Sequence, residues 1–182
     1  MKLACNNITV DFSGLRALDK VSLSVETNEI VGLIGPNGSG KTTLLNVLGG
    51  QLKSNEGTVK KDNLDITTMP PRLRVRNGLA RSFQIVRTFD SLSVFENVKS
   101  ASLITNKNNI EKNHYCNEII SYIGLNKIKN ELANTLNYGD RRRLEIARAM
   151  ATNPDFLLLD EPAAGMNDNE SEISALILLA IF

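Results

Sequence analysis

The sequence predicts an α/β fold that combines a β-rich N-terminal portion, two fully apolar strands and a helical insertion between those strands. Its 182 residues are enough for one domain that buries a core without disulfides. Alternating apolar and polar residues predict half-buried strands over residues 3–10 and 21–25, and a further strand over residues 57–59. We therefore expect sheet structure to dominate the early part of the chain.

The two apolar runs lie over residues 30–34 and 156–159. Strands that are apolar on both faces are typical of the middle of a parallel sheet covered by helices. The stretch between them is helix-compatible over residues 94–103, 110–123 and 140–151, with a turn at residues 124–126. We expect one domain over residues 1–182, with an inserted helical subdomain over about 88–150.

A phosphate-binding loop follows the first apolar strand. Residues 35–42 match the pattern G-x-x-x-x-G-K-[ST] at every fixed position, and a helical stretch with leucines follows at once. Glycines let backbone N–H groups wrap around a phosphate, Lys41 is expected to reach the outer phosphates, and Thr42 is expected to ligate Mg²⁺. The predicted nucleotide-binding residues of this loop are Gly35, Pro36, Asn37, Gly38, Ser39, Gly40, Lys41, Thr42 and Thr43.

Two carboxylates follow the second apolar strand. Asp160 is expected to hold the Mg²⁺ shell, and Glu161 is expected to polarise a water for in-line attack on the γ-phosphate. The alternative is that both are solvated residues at the end of a strand. The loop upstream favours the site over this alternative, so the sequence predicts a P-loop nucleotide-binding fold.

Composition disfavours several other classes of protein. The balance of 21 Lys and Arg against 20 Asp and Glu predicts no broad basic surface, so we expect no nucleic-acid partner. Cys5 and Cys116 are isolated, which is typical of reduced, cytosolic thiols. The longest apolar run, residues 175–182, is too short to span a bilayer. Membrane association is therefore expected only through a partner.

These motifs resemble the ATP-binding subunit of an ABC transporter over essentially the whole chain. Phe12 alone is more typical of a core residue, but the resemblance implies that it stacks on adenine. Gln84 looks like the glutamine that contacts Mg²⁺ and the attacking water. Residues 136–140 resemble the family's signature motif, so Asn137, Tyr138 and Gly139 would bind ATP held by a second subunit.

The resemblance also implies partners and a location. Residues 80–89, 138–139 and 161–167 are similar to those of branched-chain amino-acid importer ATPases. The implied fold is an ABC-type P-loop NTPase with an N-terminal antiparallel β portion. The implied cofactors are ATP and Mg²⁺, and the implied partners are a second ATP-binding subunit and transmembrane permease subunits. The implied location is cytoplasmic, at the inner face of the cell membrane. Lys41, Gln84 and Glu161 are the implied catalytic residues.

Several residues depart from the family pattern. Asn137, Tyr138 and Asp140 replace the usual serine, glycine and glutamine of the signature, and Asn167 replaces a common aspartate. The carboxylate of Asp140 would repel a phosphate, although it suits a helix N-terminus. Family members continue into another strand and a switch histidine, whereas His114, the only histidine, lies in the helical insertion and is expected at the surface. We expect the C-terminal part of the fold to be missing and hydrolysis by this chain alone to be slow.

Two other functions remain as alternatives. One is a subunit that binds nucleotide but is catalytically impaired by truncation. The other is a soluble ABC-type ATPase outside transport, which the short stretch from Gln84 to Leu136 disfavours. The three arginines at 141–143 are expected to form a partly solvated face rather than an anion site. Core positions on the same helix are expected at Leu144, Ala147 and Ala151.

Overall fold

A computed structural model describes residues 1–82 and 88–161 of the chain. The predictions for Gln84, Asn167 and residues 175–182 lie outside the described residues. The chain divides into two compact units, of which the first is Met1–Leu79 and the second begins at Ala80. The expectation of one domain with an insertion over residues 88–150 stays a prediction.

A four-stranded antiparallel sheet forms the first unit. Its strands are β1 (Lys2–Phe12), β2 (Leu15–Glu26), β3 (Glu56–Lys61) and β4 (Leu64–Asp65), in the order β2-β1-β3-β4. Alternate residues of β1 are buried up to Cys5, where the pairing shifts, and Asn7 takes a positive φ of 50° in this irregular stretch. The predicted antiparallel β portion is confirmed.

Two helices complete the first unit, α1 (Lys41–Gly49) and α2 (Pro71–Arg76). The side chain of Arg74, on α2, is buried and donates to the carbonyl oxygens of Val47 at 2.7 Å and Leu48 at 2.6 Å, in the last turn of α1. Helix C-termini carry partial negative charge, so these carbonyls compensate the buried guanidinium. Burial lowers the pKa of Arg74, and the charge of Asp65 opposes this effect. Arg74 thereby holds the helix that begins at the phosphate loop.

The first apolar run is not a strand, so the prediction of a buried central strand over residues 30–34 is wrong. These residues form a loop, and Ile34 is 99% exposed. An apolar run becomes a strand only when other strands satisfy its backbone groups and other elements cover its side chains. Among the residues that the structure describes, β1 already pairs with β2 and β3, and no strand pairs with residues 30–34.

The second unit combines a small sheet with a helical cluster. Strands β5 (Leu79–Arg81) and β6 (Phe156–Leu158) pair, which confirms a strand in the second apolar run. The helices are α3 (Val94–Ser102), α4 (Asn109–Tyr122) and α5 (Tyr138–Ala151), with 3₁₀ turns at Asn126–Ile128 and Ala133–Thr135. The three predicted helices are confirmed.

The helical cluster has its own apolar core. Leu144, Ala147 and Ala151 on α5 are buried as predicted, and they belong to one core with residues of α3 and α4. His114 lies on the exposed surface of α4 and contacts Glu118 at 3.3 Å, as expected for a surface histidine. The remaining buried members of this core are Val94, Val98, Cys116, Ile119, Ile120, Ile123, Leu125, Ala133, Leu136 and Ile146.

Candidate functional site

The phosphate loop closes around the ammonium group of Lys41. Its Nζ donates to the carbonyl oxygens of Gly35 at 2.7 Å and Pro36 at 2.9 Å, at the start of the loop. Gly38 and Gly40 have φ values of +83° and +90°, which glycine adopts readily. The loop thus brings a lysine, a row of backbone groups and the N-terminus of α1 together. That is the arrangement that binds a phosphate.

The start of α1 carries no acidic or capping side chain among the described residues. Gly40 is the N-cap, and it makes no side-chain cap hydrogen bond. A Cβ atom at Gly40 would lie 2.7 Å from both the carbonyl oxygen of Ala17 and a methyl of Leu18, so β2 packs closely against the loop. Helix N–H groups that no acidic side chain neutralises favour an anion at this position.

Phe12 lies at the end of β1, where the chain turns through Ser13 and Gly14 into β2. Its side chain is 45% exposed, so the alternative of a core phenylalanine is wrong. The same hairpin carries Ala17, against which Gly40 packs. An exposed ring on this hairpin is available to a planar ligand. Contact with adenine stays a prediction.

Asp160 is buried just after β6, so the alternative of a solvated strand end is wrong for this residue. Its Oδ2 accepts from Nη2 of Arg81 at 3.0 Å, and its backbone N–H donates to Oγ of Ser82 at 3.4 Å. Burial lowers the pKa of Arg81, and the Asp160 charge opposes this effect. Sequence reasoning missed Arg81, because the pair joins residues that lie 79 positions apart.

Glu161 differs from its neighbour. It is exposed, and its φ of +47° is uncommon outside glycine. Solvent access suits a residue that orients an attacking water. This role stays a prediction for Glu161.

The predicted signature residues form the start of α5. Asn137 is the N-cap, and its Oδ1 accepts from the backbone N–H of Asp140 at 2.8 Å. Tyr138 is exposed, whereas Gly139 is buried. Asp140 forms an ion pair with Arg143 one turn later, so its negative charge is compensated within the helix. The predicted contact of Asn137, Tyr138 and Gly139 with a second subunit's ATP is not tested by one chain.

Arg142 lies in the interior of the second unit, so the expectation of a partly solvated face is wrong for this residue. Its side chain is 1% exposed and pairs with Oε2 of Glu145 at 2.7 Å. It also donates to the carbonyl oxygens of Asp160 and Glu161. The i,i+3 spacing of Arg142 and Glu145 predicts an ion pair. Its partners after β6 lie 18 and 19 residues away, so no local pattern on α5 indicates them.

The donors proposed for Mg²⁺ are hard oxygen ligands: a hydroxyl at Thr42, a carboxylate at Asp160 and an amide oxygen at Gln84, of which Gln84 lies outside the described residues. Such a set fits Mg²⁺, which proteins hold through one or two side chains together with phosphates and waters. Over residues 1–82 and 88–161, no group of three or more His, Cys, Asp or Glu side chains is placed to hold a metal. The described residues therefore contain no metal site formed by such side chains alone.

A phosphate loop that leads into a helix, and carboxylates that follow an apolar strand, are features of the P-loop class of ATP-binding proteins. A family model described as "ABC transporter" matches residues 18–164, and the chain belongs to this family. It is thus an ABC ATPase, the ATP-binding component of a transporter. In the described residues, no helix has both the length and the apolar character needed to cross a bilayer.

Two relatives illustrate the likeness in sequence. The high-affinity branched-chain amino acid transport ATP-binding protein BraF of Pseudomonas aeruginosa is 38% identical over 96% of this chain and 75% of its own length. The lipopolysaccharide export system ATP-binding protein LptB of Escherichia coli (strain K12) is 37% identical over 91% of this chain and 69% of its own. One of these relatives is named for the transport of branched-chain amino acids and the other for the export of lipopolysaccharide.

Solved structures confirm the predicted fold class. The ADP conformation of MJ1267, an ATP-binding cassette of an ABC transporter, matches with a TM-score of 0.87 and 31% identity, over 100% of this chain and 77% of that one. The dimeric post-hydrolysis state of the cassette MJ0796, bound to ADP and Pi, matches with a TM-score of 0.83 and 28% identity, over 97% and 81% of the two chains.

Proposed function

We propose that this chain binds and hydrolyses ATP to energise an importer of branched-chain or similar amino acids. The observation that carries the proposal is the phosphate loop, in which Lys41 contacts the loop carbonyls and α1 begins without a side-chain cap. The substrate class rests on the likeness to BraF. The comparable likeness to LptB leaves ATP-driven transport as the broader function that both relatives support.

Lys41 performs the first step of the proposed mechanism. Its ammonium exchanges the carbonyls of Gly35 and Pro36 for the outer phosphates of ATP, while backbone N–H groups of the loop hold the inner ones. Thr43 contacts the inner phosphate, and Phe12 stacks on adenine. These contacts fix the γ-phosphate for attack, and positioning of this kind supplies most of the catalysis in phosphoryl transfer.

The hydrolytic step falls to residues near the end of β6 and to Gln84. Thr42, Asp160 and Gln84 would hold Mg²⁺, which neutralises the charge that develops on the phosphates when it is bound. Glu161 orients and polarises the attacking water, and Gln84 contacts the same water. The exposed position of Glu161 supports this role, because the water must reach it from solvent.

The proposed assembly is a pair of such subunits on a pair of permease subunits. The dimeric state of MJ0796 supports the pairing. Asn137, Tyr138 and Gly139 of one subunit would then face the ATP of the other, because the start of α5 presents N–H groups and a positive dipole end. The permease would hold the ATPase at the cytoplasmic face of the membrane.

The first experiment measures Mg-ATP binding and turnover by the full 182-residue chain. Lys41→Ala is expected to abolish binding, and Glu161→Gln is expected to keep binding and to lower turnover to a residual rate. Lys53→Ala, an exposed lysine of the same unit, is the matched control and should change neither. Binding without turnover by the unmodified chain would favour the impaired-subunit alternative. Absence of binding would contradict the proposal.

The substrate class is tested in the source cells. Deleting the gene should reduce uptake of labelled leucine, and the unmodified gene should restore uptake, whereas the Lys41→Ala gene should not. Unchanged uptake of branched-chain amino acids after deletion would contradict the proposed substrate.

A further inference from the structure

Arg142 joins the helix of the predicted signature motif to the backbone of Glu161, the predicted catalytic residue of the same chain. One of its guanidinium nitrogens, Nη2, donates to the carbonyl oxygens of two successive residues, Asp160 at 2.5 Å and Glu161 at 3.0 Å. The other, Nη1, pairs with Glu145 at 2.7 Å, one turn further along α5. The buried guanidinium of Arg142 is thus held in place by Glu145, and it in turn binds the backbone of the two residues Asp160 and Glu161.

The backbone that Arg142 holds is the backbone that aims Glu161. A φ of +47° places this residue in the left-handed region, which a non-glycine residue occupies only where the surroundings compensate its cost. Within the part of the chain that the structure describes, no hydrogen bond or ion pair to the Glu161 carboxylate is formed. The direction of its side chain therefore depends on the backbone, whose carbonyl oxygen at Glu161 accepts a hydrogen bond from Arg142.

We propose that Arg142 is a positioning residue that sets the direction of the Glu161 carboxylate for attack by water. The inference rests on the proposed function, in which Glu161 orients that water. A planar guanidinium presents several donors in a fixed fork, so it bonds both carbonyls and Glu145 at once. A lysine ammonium in the same place has no such fork, so Arg142→Lys should leave Glu161 free to turn away.

Asp160 has contacts that do not depend on Arg142. Its carboxylate pairs with Arg81, and its backbone N–H donates to Ser82. Loss of Arg142 should therefore affect turnover much more than the binding of Mg-ATP. A split of this kind, with kcat lowered and the Kd for ATP unchanged, separates positioning of Glu161 from a general loss of the site.

The test compares Arg142→Lys with Arg143→Lys in the full chain. Arg143 is the matched control, because it is the next residue of α5 and its described pair is with Asp140 on the same helix. For Arg142→Lys, we expect a Kd for Mg-ATP within about twofold of the unmodified chain and a kcat lowered about 100-fold, the size of effect that a misplaced catalytic group produces. Arg143→Lys should match the unmodified chain in both quantities.

Two further measurements make the inference specific. Arg142→Lys combined with Glu161→Gln should be no slower than Glu161→Gln alone, because a positioning residue has no effect once its target is lost. Amide hydrogen exchange over residues 156–161 should be faster in Arg142→Lys than in Arg143→Lys, and this readout needs no turnover.

Circular dichroism checks that each variant is folded. If Arg142→Lys does not fold, Glu145→Gln removes the charge that holds Arg142, and it should show the same changes to a smaller extent.

The outcomes separate the inference from the function on which it rests. Equal hydrogen exchange in the two arginine variants overturns the inference, whether or not the chain hydrolyses ATP. An additive loss in the double variant also overturns it. If exchange rises as expected but the unmodified chain and Glu161→Gln show the same turnover, the proposed role of Glu161 fails, and Arg142 is left as a structural contact of β6.

Discussion

The three consecutive arginines at 141–143 differ in burial and in the partners that they bind. Arg141 donates to the carbonyl oxygen of Asn134 at 2.8 Å near the surface, Arg142 is buried, and Arg143 pairs with Asp140. Successive helix residues point about 100° apart, so each arginine meets a different neighbour. Neighbouring charged residues on one helix therefore lie in different environments, and Arg142 here contacts the backbone of the predicted catalytic residue Glu161.

Gly40 offers a prediction at the same scale. Gly40→Ala should lower the free energy of unfolding by about 1 to 3 kcal/mol, because its Cβ would meet the Ala17 carbonyl and a methyl of Leu18 at 2.7 Å. The measurement is urea unfolding, together with ATP binding, which should weaken. Gly14→Ala is the matched control, because its φ of +96° imposes similar strain but nothing lies within 4 Å of its Cβ. Equal losses in the two variants would show that backbone strain alone is responsible.

Helix ends are the elements that the sequence specifies most completely. α3 and α4 both begin with a capping box, in which Ser93 pairs with Glu96, and Asn108 pairs with Glu111. Each cap satisfies backbone N–H groups that the helix itself leaves without partners. These caps use residues three positions apart, so local sequence alone specifies where the helices begin.

Ser93→Ala tests the first of these caps. It should lower the free energy of unfolding by about 1 kcal/mol at neutral pH, because the cap is lost. Hydrogen bonds from Ser93 lower the pKa of Glu96, so the contribution of this carboxylate is present above its ordinary pKa and is lost as pH falls through the lowered value. The cost of Ser93→Ala should therefore shrink in acid. Ser91→Ala, at an exposed serine two residues earlier, should cost less than about 0.5 kcal/mol. A pH-independent cost for Ser93→Ala would contradict the role of Glu96.

At the scale of the whole molecule, each unit carries one buried thiol. Cys5 lies in the sheet of the first unit, and Cys116 lies in the helical core of the second. Burial raises the pKa of both thiols, while backbone hydrogen bonds at Cys5 and the Ser102 side chain at Cys116 oppose this effect. The two thiols therefore report separately on the two units.

Thiol labelling tests this division. In native buffer near pH 8, both cysteines should react much more slowly than in urea, because burial limits both access and the fraction of thiolate. Cys5→Ser keeps only the thiol of the second unit, and Cys116→Ser keeps only that of the first. Comparing their labelling rates assigns each reaction to one unit. A cysteine that reacts as fast in native buffer as in urea would show that its unit is not folded as described.

The confirmed predictions are those that depend on neighbours in the sequence. The helices over 94–103, 110–123 and 140–151 follow from local periodicity. The phosphate-binding role of residues 35–42, which follows from their spacing, stays a prediction. The wrong predictions concern burial. The run at 30–34 is apolar enough for a central strand, but the described sheet of the first unit gives it no partner. Burial requires other segments of the chain, which hydrophobicity alone does not supply.

By itself, the sequence predicted the chemistry of this protein, through the phosphate loop and the carboxylates after β6, and it determined the three helices of the second unit. The tertiary structure alone decided which side chains support that chemistry. Arg81 reaches Asp160 from 79 residues away, and Arg142 reaches the carbonyl oxygen of Asp160 from 18 residues away. The physical reason is that hydrogen bonds in turns and helix caps join near neighbours, whereas a buried charge is stable only where folding has brought distant partners to it.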